Sequence, residues 1–161
     1  MSKPRVLVAR AIFPSVIERL AQHFEVETNQ ADDVWSKEEL TRRLSDKVGA
    51  FTTSSERIDA AVLDSCPHLK IVANMAVGYN NFDVDAMTAR GVLATNAPDV
   101  LTETTADFGF ALLMATARRL TESEHFLRAG KWTTWRYDMF AGSDIHGSTL
   151  GIIGMGRIGQ G

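Results

Sequence analysis

Cysteine is almost absent from this 161-residue sequence, which contains only Cys66. A single cysteine excludes an intrachain disulfide and fits a reducing compartment. No stretch approaches the roughly 20 consecutive apolar residues of a membrane span. The apolar run near the N-terminus is too short for a secretory signal and is interrupted by Arg10. We therefore expect a soluble, cytoplasmic protein.

The sequence also lacks an excess of either charge and any pattern of metal ligands. The net charge is −3 with both signs interspersed, which favours neither a nucleic-acid partner nor a membrane surface. None of the four histidines has the spacing of a metal ligand, so no metal site is predicted. The apolar fraction of 45% is typical of a globular protein.

Short β-rich runs alternate with helical patterns along the first hundred residues. The runs occupy residues 6–8, 24–26, 48–51, 69–73 and 91–94. Helix starts are predicted at capping boxes beginning with Ser15 and Ser36, and at the N-cap residues Asp59 and Asp83. This alternation predicts an α/β fold in which helices cover both faces of a parallel sheet.

The second part of the sequence has a different character. A helix is predicted from Thr102, and residues 106–117 are apolar nearly all round, so we expect that helix to be buried on all sides. A further capping box spans residues 121–124, and Gly130 is a natural helix stop. Residues 131–140 are rich in aromatic side chains without clear periodicity, which is typical of an interface.

A glycine pattern lies at the end of the sequence. The apolar residues 149–153 are interpreted as a strand, and the G-x-G-x-x-G motif follows them directly. This context is typical of a turn that binds the pyrophosphate of a dinucleotide. The candidate cofactor-binding residues are Gly154, Met155, Gly156, Arg157, Ile158 and Gly159. The alternative is a generic tight turn. Neither the full phosphate-binding helix nor the acidic residue expected ~20 residues later follows, so we expect the sequence to be the front part of a longer enzyme.

Four stretches of this sequence together resemble the D-isomer-specific 2-hydroxyacid dehydrogenases. They are residues 77–85, 98–107, 117–119 and 150–159. Within that family the sequence is most similar to the glyoxylate/hydroxypyruvate reductase branch, whose members are also described as 2-ketogluconate reductases. The same glycine motif alone would be weak evidence, whereas its occurrence after the other three stretches is specific.

The resemblance implies a fold and an assembly. Residues 1–100 would form most of a flavodoxin-like substrate-binding domain. Residues 101–161 would contain the interdomain helix, a dimerisation arm and the first strand and glycine turn of a Rossmann domain that binds NAD(P). The family resemblance also implies a homodimer formed through residues 120–145.

The resemblance further implies hydride transfer between a nicotinamide cofactor and a small 2-keto or 2-hydroxy acid such as glyoxylate, hydroxypyruvate or 2-ketogluconate. The cofactor would be NADP or NAD, with NADPH favoured. Val77 and Gly78 would contact the substrate carboxylate through their backbone, Ser54 would line the same crevice, and Thr104 would lie near the nicotinamide. The arginine, glutamate and histidine that carry the family's catalysis are expected beyond residue 161. We therefore assign no catalytic residue here and expect this chain alone to be inactive.

Other interpretations remain open for each of these residues. Gly78 would also permit a simple turn before the Asp83 cap, Ser54 would suit an ordinary turn, and Thr104 would suit the first turn of a helix. The chain as a whole would also suit a non-enzymatic flavodoxin-like binding or dimerisation module.

Overall fold

The computed structural model describes residues 2–161. The chain divides into two compact units, with the boundary between Pro98 and Asp99. Among the described residues, no helix is long and apolar enough to cross a membrane.

The first unit is built on a five-stranded sheet in which all neighbouring strands are parallel. The strands are β1 (Arg5–Val8), β2 (Glu25–Thr28), β3 (Gly49–Thr52), β4 (Ile71–Asn74) and β5 (Leu93–Thr95). Their order across the sheet is β2-β1-β3-β4-β5. This is the strand order of a flavodoxin-like, doubly wound sheet, so the predicted α/β class is confirmed.

Four helices connect these strands. They are α1 (Pro14–Ala21), α2 (Lys37–Leu44), α3 (Ala60–Ser65) and α4 (Val84–Ala89). The predicted N-caps of the last three are confirmed: Ser36, Asp59 and Asp83 each accept a hydrogen bond from the backbone N–H three residues later. The capping box predicted at Ser15 is wrong. Helix α1 begins one residue earlier, at Pro14, and proline is well suited to the first helical position.

The last predicted strand begins later than its β-rich run because the first two residues of that run end helix α4. Gly91 adopts a φ of 65° and donates to the carbonyl of Thr88 at 3.1 Å. Val92 donates to the carbonyl of Met87 at 2.9 Å. Together these bonds form a Schellman motif, which requires the left-handed conformation that glycine adopts without strain.

The hydrophobic core of the first unit is continuous, and Leu7, Leu44, Ile58 and Val72 are fully buried in it. Its other buried members are Ala9, Leu40, Ala50, Val62, Leu63, Cys66, Leu69, Phe82, Met87 and Val92. Burial raises the pKa of the Cys66 thiol, so this cysteine behaves as a small core residue.

The second unit contains helices and irregular segments. The helices are α5 (Thr102–Ala117), α6 (Leu120–Arg128) and α7 (Arg157–Gln160). None of them has a buried residue. The expectation that the apolar helix is buried on all sides is therefore wrong for residues 99–161: the side chains of Phe108 and Phe110 are 62% and 57% exposed.

Helix α6 begins without a side-chain cap, as α1 does, and ends in the same way as α4. Arg119, in a left-handed conformation, precedes its first residue, and no side chain caps the start. The capping box predicted at 121–124 is wrong because the helix already begins at Leu120. The predicted stop is correct: Gly130 has a φ of 66° and closes a second Schellman motif with Leu127 at 3.0 Å.

The segment that follows helix α5 returns to the point where that helix ends. Ser143 donates its backbone N–H to the carbonyl of Ala117 at 2.8 Å, and Arg119 donates to the carbonyl of Ala141 at 3.4 Å. A Cβ atom at Gly142 would overlap that same carbonyl of Ala117. Only glycine therefore fits where the chain returns.

The strand predicted at residues 149–153 is not formed. A β-strand needs a neighbour for its N–H and C=O groups, and no segment of residues 99–161 pairs with this one. Ile153 is fully exposed. The apolar run is present, but residues 99–161 contain no strand with which it could pair.

Candidate functional site

Most of the buried polar side chains of the first unit lie at the carboxyl edge of the sheet; the exception is Lys47, which precedes β3 and lies at the amino edge. Open α/β sheets bind ligands outside this edge, next to the point where the strand order reverses. Here the reversal lies between β1 and β3. Thr52, Glu56 and Asn74 follow or end strands at this edge, and each is at most 6% exposed.

Arg10 follows β1 and occupies the reversal point. Its guanidinium donates to both carboxylate oxygens of Asp32, at 2.8 and 3.0 Å, and to the hydroxyl of Ser55 at 2.8 Å. The hydrogen bonds from Arg10, together with one from the N–H of Ala11, lower the pKa of Asp32 to about 2. This cluster joins the loops that follow β1, β2 and β3.

Hydrogen bonds to the buried carboxylate of Glu56 stabilise the turn that contains Ser54. The carboxylate of Glu56 accepts hydrogen bonds from the backbone N–H of Thr53 at 2.7 Å and from the hydroxyl of Ser55 at 2.8 Å. Ser54 itself is exposed, and its hydroxyl makes no hydrogen bond within the described residues. The turn thus presents one unengaged hydroxyl at the carboxyl edge.

The loop after β4, residues 75–80, is tied to the neighbouring loops by asparagine side chains. Asn74 donates to the carbonyl of Gly78 at 2.9 Å and to the Asn81 side chain at 3.3 Å. Asn81 donates in turn to the carbonyls of Thr53 and Glu56, at 3.0 and 2.9 Å. Consequently the loop with Gly78 and the turn with Ser54 belong to one hydrogen-bonded structure.

Three successive carbonyls of the 75–80 loop each accept a hydrogen bond. The carbonyl of Ala76 accepts from the N–H of Ala97 at 2.9 Å, and that of Val77 accepts from the Asn96 side chain at 2.7 Å. Asn74 engages the carbonyl of Gly78, as described above. In a planar trans peptide the N–H is antiparallel to the C=O. The N–H groups of residues 77, 78 and 79 are therefore directed away from these partners.

Those three N–H groups make no hydrogen bond within residues 2–161. Gly78 is exposed, and a Cβ at this position would meet nothing within 4 Å. Unengaged backbone N–H groups carry partial positive charge, which suits an anion. The structure thus brings Val77, Gly78 and Ser54 to one edge, and an apolar wall of Phe13 and Met75 lies at the same edge.

Sequence reasoning missed Arg10 and the asparagines of this edge. A signal was present: Asn29, Asn74 and Asn96 each end a strand or directly follow one. Asn29 is also buried and donates to the carbonyl of Ala9 at 2.9 Å. An asparagine at a strand end offers a side-chain amide to the backbone of the following loops.

The three glycines of the G-x-G-x-x-G motif have different surroundings in the second unit. Gly154 has a φ of 97°, which side chains rarely tolerate, and a Cβ at Gly159 would overlap its carbonyl oxygen. A Cβ at Gly156 would lie in open space. Two glycines are thus required by the turn itself. The third leaves the backbone open to a ligand, and this is the arrangement that a pyrophosphate needs.

The remaining cofactor candidates are surface residues. Met155, Arg157 and Ile158 lie in the turn and the first residues of α7, and Arg157 pairs with Asp99 at 2.9 Å. Thr104 lies in the first turn of α5 and is exposed. A groove between α5 and the glycine turn is lined by its neighbours Thr105 and Ala106, not by Thr104 itself.

Metal ligands are not brought together. Within residues 2–161, no three histidine, cysteine, aspartate or glutamate side chains are placed to hold a metal ion. His23 and His68 precede β2 and β4, so both lie at the amino edge of the sheet, opposite the unengaged N–H groups of residues 77–79. The other two histidines are in the second unit.

The family model described as "D-isomer specific 2-hydroxyacid dehydrogenase, catalytic domain" matches residues 6–149. A glyoxylate reductase of Thermococcus kodakarensis is 49% identical over 98% of this chain and 49% of its own length. A glyoxylate reductase of Korarchaeum cryptofilum is 47% identical over 98% of this chain and 48% of its own length.

Solved structures agree with these relatives. A protein from Thermus thermophilus superposes with a TM-score of 0.91 at 42% identity, over 97% of this chain and 50% of the other. An NADPH-dependent glyoxylate/hydroxypyruvate reductase from Sinorhizobium meliloti, in complex with NADP and malonate, superposes with a TM-score of 0.78 at 38% identity, over 99% and 48% of the two chains.

The chain belongs to the D-isomer-specific 2-hydroxyacid dehydrogenases, because the family model covers most of its length. This confirms the resemblance carried by the four sequence stretches. The chain spans about half the length of the curated glyoxylate reductases it matches.

Proposed function

We propose that the whole protein is an NAD(P)H-dependent oxidoreductase that reduces a small 2-keto acid, with glyoxylate and hydroxypyruvate as its substrates. The observation that carries this proposal is the set of unengaged N–H groups at Val77 and Gly78, in a chain whose relatives include glyoxylate reductases. A 2-keto acid carries a carboxylate next to its reactive carbonyl, so fixing the carboxylate also orients the carbon that accepts the hydride.

The residues of the first unit would bind and orient this substrate. The N–H groups of Val77 and Gly78 would hold the carboxylate, and the hydroxyl of Ser54 would lie beside it. The cluster of Arg10, Asp32 and Glu56 is internally paired, so it would keep the turn with Ser54 in place without competing for the anion.

The residues of the second unit would hold part of the cofactor. A nicotinamide cofactor supplies the hydride when bound. The backbone of 154–159 fits its pyrophosphate because Gly156 leaves open space where a side chain would otherwise stand. Thr104 would lie towards the nicotinamide. NADPH is the proposed cofactor, since a relative with solved structure is NADPH-dependent.

The proton donor and the substrate-binding cation are proposed to lie outside residues 1–161. Reduction of a carbonyl needs an acid near the developing alkoxide. The first unit places its two histidines at the opposite edge of the sheet, and the Arg10 guanidinium is already paired. We therefore expect residues 1–161 alone to have no reductase activity.

The assay uses the whole protein with glyoxylate and with hydroxypyruvate, each with NADPH and NADH. Turnover of either acid, faster with NADPH, is expected. Absence of turnover with every short 2-keto acid would refute the proposal. Activity from residues 1–161 alone would refute the assignment of the catalytic groups to the rest of the protein.

The aromatic segment is proposed as a dimer interface with a second copy of the chain. Trp132, Trp135 and Met139 line an open apolar groove beside α6, and Trp135 is 75% exposed. The segment packs against α6, since Phe140 makes an edge-to-face contact with Phe126 of that helix, with ring centroids 5.1 Å apart. An exposed aromatic surface of this kind is typical of an oligomer interface.

We also propose that the protein is cytoplasmic, because its single cysteine, the buried Cys66, suits a reducing compartment.

A further inference from the structure

The proposed anion site consists of the backbone N–H groups of residues 77–79. Its geometry depends on hydrogen bonds donated by side chains outside those three residues. The orientation of each N–H group is set by the hydrogen bond that the carbonyl of the same peptide accepts from another part of the first unit. The carbonyl of Val77 belongs to the peptide that carries the N–H of Gly78, and its hydrogen-bond donor is the side-chain amide of Asn96 at 2.7 Å. The amide of Asn74 holds the next peptide at 2.9 Å.

We propose that Asn96 and Asn74 are positioning residues: they fix the peptides of Val77–Gly78 and Gly78–Tyr79 so that their N–H groups face a bound carboxylate. This inference rests on the proposed function for the identity of the anion, a 2-keto acid. Neither asparagine contacts that anion in the proposal. Both act through the backbone of the 75–80 loop.

The need for such positioning follows from Gly78 itself. Glycine has the widest backbone freedom of any residue, and nothing lies within 4 Å of where its Cβ would be. Gly78 has no side chain that could pack against a neighbour. The orientation of the two peptides that flank it is therefore set by the hydrogen bonds to the carbonyls of Val77 and Gly78. Preorganised N–H groups bind an anion without a reorganisation cost, which is the source of their affinity.

The two asparagines differ in what else they hold. Asn74 is buried and also accepts a hydrogen bond from the Thr52 hydroxyl at 3.1 Å, so it is part of the core of the edge. Asn96 is exposed, and its side chain donates only to Val77 within the described residues. A substitution of Asn96 should therefore change the orientation of the Val77–Gly78 peptide without destabilising the fold.

The experiment compares Asn96→Ala with Asn80→Ala in the whole protein. Asn80 is exposed, lies in the same loop and makes no side-chain hydrogen bond within residues 2–161. We expect Asn96→Ala to raise KM for glyoxylate, and Ki for the dicarboxylate malonate, on the order of tenfold, with kcat, the KM for NADPH and Tm close to wild type. Asn80→Ala should leave all of these unchanged.

Two further variants test the chemistry of the contact. Asn96→Gln keeps a side-chain amide and should recover part of the lost affinity. Asn96→Asp replaces the donor by an acceptor that faces the Val77 carbonyl, so it should raise KM further than alanine does. Asn74→Asp should raise KM as well, but it should also lower Tm because the side chain is buried.

Binding without turnover distinguishes this inference from the proposed function. Malonate is titrated into the ¹⁵N-labelled whole protein while the Gly78 N–H signal is followed. A tenfold weaker response in Asn96→Ala supports the positioning role even if no 2-keto acid is reduced. If malonate does not shift the Gly78 signal, or if Asn96→Ala equals Asn80→Ala in KM and malonate affinity, the inference is wrong.

Discussion

The two units of this chain use their apolar residues in opposite ways. In the first unit, residues such as Leu7 and Val72 are fully buried beneath a sheet and four helices. In the second unit no residue of a helix is buried, although α5 is rich in apolar residues. The same residue types thus form a core in one region and a surface in the other.

The periodicity of apolar residues thus predicts which face of a helix or strand is apolar, but it does not predict which part of the protein packs against that face. In the first unit, strands and helices that follow one another cover each other. In the second unit, the covering surface for α5 and for the 131–140 segment is absent from residues 99–161. Exposed apolar and aromatic surfaces are typical of contacts between domains or subunits.

The largest effect expected from this contrast concerns stability. Leu7→Ala should lower the free energy of unfolding by about 2–5 kcal/mol because it leaves a cavity in a closed core. Leu112→Ala in α5 should cost less than about 1 kcal/mol, since that side chain is half exposed. Urea denaturation of residues 1–161, followed by circular dichroism, measures both. Equal losses would show that α5 is covered in solution and would remove the contrast.

A second test addresses what covers the aromatic surface. Trp135→Glu in the whole protein should weaken dimerisation by about 2 kcal/mol or more, because truncating a central tryptophan of an interface is typically that costly. Sedimentation at several protein concentrations gives the monomer–dimer constant. Val34→Glu, at an equally exposed apolar position of the first unit, is the control. An unchanged dimer in Trp135→Glu, or a monomeric wild type, would contradict the interface.

A smaller difference is expected at the helix starts. Asp59→Ala removes the hydrogen bond to the N–H of Val62 and an ion pair with Lys37 at 2.7 Å, so it should cost about 1 kcal/mol. Thr121→Ala in α6 removes no cap and should be close to neutral. Thermal unfolding of both variants measures this. A loss for Thr121→Ala as large as that for Asp59→Ala would show that α6 is capped in solution.

The smallest effect concerns pH. The pKa of Asp32 is lowered to about 2 by hydrogen bonds from Arg10 and from the N–H of Ala11. A carboxyl group whose pKa is lower in the folded state than in the unfolded state stabilises the folded state at pH values above its unfolded pKa. That contribution is lost as the pH falls towards 2, where the folded-state carboxyl becomes protonated. Because Asp32 is half exposed, the effect should be small and should shrink in salt. The urea midpoints of wild type and Asp32→Asn should differ at about pH 6 and converge near pH 2. A difference independent of pH would contradict this origin.

Much of the first unit was predictable because its signals are local. Strand and helix alternation predicted the sheet, and Ser36, Asp59 and Asp83 were correct as N-caps because their side chains act within three residues. The N-caps predicted at Ser15 and Thr121 were wrong because each helix begins earlier than its capping pattern suggests.

The candidate site was predictable only in part. The position of Val77 and Gly78 after a strand predicted that they lie at the carboxyl edge of the sheet, which is where the structure has them. The partners that orient their peptides were not predictable, because Asn96 and Asn74 act across different loops and side-chain amides carry no periodic signal. The predicted strand at 149–153 failed for a related reason: a strand is defined by its neighbour, which the local pattern does not specify.

The contact between Gly142 and the end of α5 makes residues 118–143 a self-contained excursion of the chain. Ala117 and Ser143 are already hydrogen-bonded neighbours, so a short linker between them would remove the whole excursion without displacing the backbone on either side. Such an appendage is exchangeable, because its length and side chains do not set the geometry of α5 or of the glycine turn. The proposed contact between copies would thereby be separable from the proposed binding of a cofactor.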